Sequence, residues 1–169
     1  MTTYAHILNT PAGELLAAVN EGGALLCLDF IRHGDHERDL DKLTARLPKP
    51  ITWSAEPCRH VEQQLAEYFA GQRRDFDLAV EPQGTEFQRQ VWHQLLEIPY
   101  GTTCSYQDIA QAIGRPQAVR AVGRANGTNP IPIVIPCHRV IGANGTLTGY
   151  GGGLDVKRQL LVLEGVLLV

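Results

Sequence analysis

The chain has 169 residues, enough for one large domain or two small ones. Hydrophobic residues make up 44%, the level of an ordinary globular core. No apolar run reaches the roughly 18 residues of a membrane span, so none is expected. The net charge of −3 argues by itself against a nucleic-acid partner, but residues 1–100 carry −6 and residues 101–169 carry +3. A positive second part points to a polyanion.

In chain order, Tyr4–Leu8, Leu15–Val19 and Ala24–Ile31 read as strands joined by turns at Pro11-Ala12-Gly13 and Asn20-Glu21-Gly22-Gly23. A three-stranded antiparallel meander is expected. The spacing of Leu40, Leu43 and Leu47 predicts a surface helix over 35–47, broken by Pro48-Lys49-Pro50. A second helix, about Pro57 to Ala70, carries Val61, Leu65, Tyr68 and Phe69 on one face, and Gly71 suits its stop. Phe76–Val80 reads as one more strand, and Pro82-Gln83-Gly84 as a linker. The expected division is an α/β domain over 1–82, with a small antiparallel sheet, and a mainly α domain over 83–169. Cys27, His33 and His36 match no common zinc spacing and lack a fourth ligand, so no metal site is expected.

Beyond the linker, Thr85-Glu86-Phe87-Gln88 has the form of a capping box. Phe87, Val91, Trp92, Leu95, Leu96 and Ile98 form the stripe of the helix it opens. Ser105-Tyr106-Gln107-Asp108 is a second capping box. Its short helix ends at Gly114-Arg115-Pro116, and a third helix spans about Gln117 to Ala125. Two short helices across a Gly-containing turn make a helix-turn-helix whose second member, with Arg120 and Arg124, faces DNA. An ordinary helical hairpin is the plain alternative.

Asn126-Gly127-Thr128-Asn129-Pro130 then turns the chain into Ile131-Pro132-Ile133-Val134-Ile135. The three prolines exclude a helix, so this run is expected to be an extended, buried rail. It ends on Pro136-Cys137-His138-Arg139. A thiol beside an imidazole and a guanidinium is expected to have a lowered pKa and to act as a nucleophile; a buried structural thiol is the alternative. Gly142-Ala143-Asn144-Gly145 reads as a hairpin-type turn, and the glycine-rich stretch around Tyr150 as a loop that a ligand can approach closely. A last helix, Leu154 to Glu164, places Leu160, Leu161 and Leu163 in the core. Glu164 at its end opposes the helix dipole, which hints at a specific partner.

The residues Pro136-Cys137-His138-Arg139-Val140, Ser105-Tyr106-Gln107, Arg120-Ala121-Val122-Gly123, Asn129-Pro130 and Tyr150-Gly151-Gly152-Gly153-Leu154 together resemble the O6-alkylguanine-DNA alkyltransferase family. The resemblance covers about Phe87 to Gly165; the N-terminal part matches only in general form. It implies a winged helix-turn-helix-like element and direct repair, in which the alkyl group of O6-alkylguanine, with O4-alkylthymine as a second candidate lesion, passes irreversibly to Cys137 after base flipping. It implies His138 as a base acting through a water, Glu164 as its orienting group, Asn129 as the brace of the active-site turn and Tyr106 as donor to the base. Tyr106, Gln107, Arg115 and Arg120 would bind DNA, with Arg120 filling the gap in the stack. Asn126, Val140, Tyr150 and Gly151 would wall the pocket. No cofactor is implied. The partner would be duplex DNA bound by a monomer, with cooperativity left open. The N-terminus lacks a charged stretch followed by an apolar core, and the four cysteines form no CxxC pair, so a cytoplasmic protein is expected. A non-catalytic binder of alkylated DNA and a cysteine hydrolase or thiol oxidoreductase are the competing readings.

Overall fold

The computed structural model describes residues 1–31, 36–150 and 152–167. The chain divides into two compact units, Met1–Pro82 and Gln83–Val169.

In the first unit β1 (Thr3–Thr10), β2 (Gly13–Val19) and β3 (Leu25–Phe30) form the antiparallel meander. The sheet is nevertheless mixed: a fourth strand, β4 (Ile51–Trp53), adds parallel to β1 and gives the order β3-β2-β1-β4. Three residues after a proline pair carry too little alternation to read as a strand. Leu15 to Val19 of β2 are all buried, so the strand reads as a continuous apolar run. On one sheet face Ala5, Leu16, Ala18, Cys27 and Leu47 form a core that Leu40 and Leu43 of α1 (His36–Thr44) help to cover. Val61, Leu65 and Tyr68 are the buried stripe of α2 (Arg59–Phe69), which packs on β1. Pro57 stands in a 3-10 turn just before that helix. Phe76–Val80 is not a strand. It makes one bridge, Leu25 to Val80, while the Gln64 side chain bonds both the amide and the carbonyl of Asp77. His33 lies outside the described residues.

In the second unit α3 (Glu86–Leu95) and α4 (Tyr106–Ala112) both open on complete capping boxes, Thr85 with Gln88 and Ser105 with Asp108. Each box satisfies two of the amide donors that a helix start leaves unpaired. Both helices pack on α5 (Val119–Gly127). Trp92 is buried and donates its indole N–H to the Ala125 carbonyl at 2.7 Å, fixing α3 against α5. Gln107 Nε2 bonds the Pro116 carbonyl at 3.0 Å and closes the turn between α4 and α5. A two-residue parallel ladder joins β5 (Cys104–Ser105) to β6 (Val140–Ile141) beside the helix pair. Gly142 to Gly145 do make a tight turn, but among the described residues no second hairpin strand follows. Leu160 and Leu161 of α6 (Leu154–Leu163) are buried, and Leu163 is half-buried.

The run before Cys137 corrects the expectation of an extended rail. It is fully buried from Ile131 to Val140, but it is coiled. Ile135 N–H bonds the Ile131 carbonyl at 2.9 Å, and Ile133 has φ of +74°. That conformation is rare for a β-branched residue and costs on the order of 1–3 kcal/mol. The Asn129 side chain holds it. Its Oδ1 accepts from Ile131 N–H at 2.9 Å and its Nδ2 donates to the Ile135 carbonyl at 2.8 Å. Prolines exclude a helix but not a turn whose donors they do not supply.

Candidate active site

Cys137, His138 and Arg139 form a single 3-10 turn delivered by that coil, and all three are buried. Asn126, on the last turn of α5, donates from Nδ2 to the Cys137 carbonyl at 3.4 Å. The thiol turn is therefore attached directly to the second helix of the pair.

Three charged side chains, Glu164, Arg139 and Lys157, meet at the turn. From α6, Glu164 Oε2 lies 2.7 Å from His138 Nε2. With Nε2–H donating to the carboxylate, Nδ1 is left as an acceptor, and it has no partner among the described residues. Arg139 grips the same carboxylate with Nε at 2.8 Å and Nη2 at 3.0 Å. Its Nη1 donates to the Ile98 carbonyl, just past α3, at 2.7 Å, and its guanidinium lies 5.6 Å from the centre of the Tyr100 ring. Glu164 thus has its partners at the helix C-terminus, which accounts for an acidic residue where the dipole disfavours one.

Lys157 is the third contributor. It is fully buried, and its ammonium donates to the Val140 and Thr148 carbonyls, both at 2.7 Å. Burial lowers its pKa to about 8, while the neighbouring Cys137 favours the charged form. Thr148 Oγ1 also pairs with the Tyr106 hydroxyl at 2.6 Å, so Tyr106, Thr148 and Lys157 form a chain from α4 to α6.

The expectation of a low-pKa resting thiolate is corrected. Burial pushes the Cys137 thiol up to about 11, against a hydrogen bond from Asn129 and the charge of Lys157, which pull it down. Neither His138 nor Arg139 lowers it. Desolvation lowers the His138 pKa, which favours the neutral imidazole, and the Arg139 charge is taken by Glu164. The thiol therefore needs a base at the moment of reaction. Cys58 and Cys104 are also pushed up to about 11, but each faces a carboxylate, Glu62 and Asp108, that pushes the same way. Cys137 instead faces a cation.

The remaining sequence-chosen residues divide by location. Val140 is buried beside the thiol turn and Tyr150 is half-buried. The amide oxygen of Asn126 is buried without a partner among the described residues. Arg120 is exposed on α5 and makes no hydrogen bond or ion pair among the described residues. Arg115 is exposed at the turn before α5, 5.9 Å from the centre of the Phe87 ring. Gly151 lies outside the described residues. Lys157, Thr148 and the bidentate role of Arg139 are absent from the sequence reading. One signal was available: Lys157 falls at the inward positions of α6 set by Leu160, Leu161 and Glu164.

Comparison with known proteins agrees along the chain. Residues 3–82 match the 6-O-methylguanine DNA methyltransferase ribonuclease-like domain, and residues 86–166 match the DNA binding domain of the same family. A methylated-DNA–protein-cysteine methyltransferase of Methanosarcina acetivorans is 48% identical over 96% of this chain and 98% of its own length. One from Mycolicibacterium paratuberculosis is 63% identical over 69% of this chain and 72% of its own. The solved structure of Mycobacterium tuberculosis OGT in complex with DNA superposes with a TM-score of 0.83, at 43% identity, over 95% of this chain and 92% of its own. Continuous over both units and close in sequence, these likenesses place the chain in the 6-O-methylguanine DNA methyltransferase family.

Proposed function

We propose that this protein repairs alkylated DNA by direct reversal, moving the alkyl group from O6 of guanine in duplex DNA onto the sulfur of Cys137. The observation that carries this is the hydrogen bond from α5 to the Cys137 carbonyl: one helix both faces outward with Arg120 and holds the thiol turn. Relatives named for methyl transfer from DNA to a protein cysteine support the same reading.

The target atom is hidden in the stack, so the base is extruded at a cost of a few kcal/mol. Arg120 occupies the space the base leaves and offsets part of that cost. In the pocket the sulfur attacks the alkyl carbon as the C–O6 bond breaks. The thiol proton passes through a water to Nδ1 of His138, and Glu164 steadies the imidazolium that forms. The electron pair of the broken bond enters the guanine ring, where Tyr106 donates a hydrogen bond as charge develops. The proton held by His138 then passes through water to the guanine anion, leaving neutral guanine and a neutral imidazole. The S–C bond is a thioether, which does not hydrolyse under mild conditions, so each molecule reacts once.

A binder of alkylated DNA without chemistry needs no nucleophile. The base, orienting carboxylate and cation gathered around Cys137 favour transfer. Incubation with an oligonucleotide duplex carrying O6-methylguanine, followed by peptide mass mapping, tests this: one methyl on Cys137 per protein supports it, and an unmodified protein bound to its DNA refutes it. Gel filtration and binding isotherms on the same duplex test the monomer and any cooperativity.

A further inference from the structure

We propose that Arg139 is a positioning residue for the transfer: by holding both oxygens of Glu164 it keeps the His138 imidazole neutral and able to take the thiol proton. This rests on the reading of His138 as base.

Among the described residues, these titratable and charged groups face His138. On its own turn they are Cys137 and Arg139; from α6 they are Glu164 and Lys157. His138 and Lys157 are fully buried, and Glu164 and Arg139 are each 5% exposed, so the cluster must balance its charge internally. With Arg139 in place, the carboxylate and the guanidinium cancel. The imidazole then feels desolvation, Arg139 and Lys157 disfavouring its charged form, against the single pull of Glu164. Without Arg139 the buried carboxylate loses both of its guanidinium bonds; His138 and the Gly101 amide, 3.5 Å from Oε1, still face it, and of these two the imidazole can take up a charge. Taking up a proton to form an imidazolium–carboxylate pair is then the cheapest compensation. A histidine that already holds a proton cannot accept one from Cys137.

The geometry adds a second demand. The fork spans Nε to Oε1 and Nη2 to Oε2 while Nη1 reaches the Ile98 carbonyl. A lysine can supply the charge but not all three bonds. Arg139 therefore sets both the charge state of His138 and the angle at which Glu164 meets Nε2.

The test combines His138 imidazole NMR titration with single-turnover transfer from an O6-methylguanine duplex, across about pH 6 to pH 8.5. In Arg139→Met the His138 titration moves upward. Below its raised pKa the imidazole is protonated and inactive, so the loss of rate is greatest at low pH and shrinks at least tenfold as pH rises. Adding Glu164→Gln to that variant removes the carboxylate and returns the titration toward the wild-type position. Arg139→Lys keeps the charge, so its rate falls by a similar factor at every pH and its titration stays near wild type. A pH-independent loss in Arg139→Met with an unmoved His138 titration overturns the proposal. So does an upward His138 shift in Arg139→Lys, which also decides the matter should Arg139→Met fail to fold. A wild-type protein that transfers nothing would instead overturn the repair reading, and the NMR comparison would still judge Arg139.

Discussion

Lys157→Met removes the cation that, among the described residues, faces the Cys137 sulfur, while keeping most of the buried side-chain volume. An opposite charge within a few ångströms shifts a pKa by about 1–3 units, so the thiol, already up to about 11 from burial, rises further. A shift of about two units lowers the thiolate fraction near neutral pH about 100-fold. The more basic thiolate is intrinsically more reactive, with a Brønsted slope of about 0.4–0.5, which recovers about tenfold. The expected net loss in single-turnover transfer is thus about tenfold at neutral pH, before any effect of freeing the Val140 and Thr148 carbonyls. Reaction of Cys137 with a small alkylating reagent, followed by mass mapping across pH, reads the thiol without DNA. The variant needs a higher pH than wild type to reach the same rate. An unchanged pH dependence with a uniform fall in rate would reduce Lys157 to a packing residue; no fall at all would remove it from the site.

Arg120→Ala slows transfer from duplex DNA more than from free O6-methylguanine base, because only the duplex requires extrusion; equal slowing on both substrates argues against a stacking role. Asn129→Ala releases both ends of the coil that holds Ile133 at positive φ, two buried hydrogen bonds worth about 1–3 kcal/mol together. Thermal unfolding and transfer rate both fall in that variant, and an unchanged melting curve would show that the coil holds itself. Gly84→Ala builds a Cβ that would stand 2.5 Å from the Trp92 ring. Displacing Trp92 costs about 1–3 kcal/mol, read as a lower unfolding midpoint with retained helix content. No change in that midpoint would show that Trp92 moves freely despite its bond to Ala125.

What was legible in the sequence was chemistry confined to a few neighbouring residues. The capping boxes at Thr85 and Ser105 are such cases, because cap and partner lie three residues apart. The meander was legible from its two turns. The coil at Ile131–Ile135 was misread because its conformation depends on the Asn129 side chain reaching back across it, which no propensity encodes. Cys137, His138, Glu164 and Asn129 were named by resemblance, and the structure places them around one turn. The thiol's electrostatics were misjudged because adjacency in sequence is not adjacency in field. Arg139, two residues away, spends its charge on Glu164, while Lys157, twenty residues away, acts on the sulfur. A lysine in an amphipathic helix reads as a solvated one until the register of Leu160, Leu161 and Glu164 places it inward.

The central claim is that the sulfur of residue 137 accepts carbon from damaged DNA once and keeps it. Intact-protein mass spectrometry at limiting and at excess O6-methylguanine duplex, with Cys137→Ala alongside, measures it directly. One methyl per wild-type molecule at saturation, none on the variant, and unmodified guanine in the DNA in equal amount are expected. Restored guanine in molar excess over protein, or methyl on the Cys137→Ala variant, would contradict it.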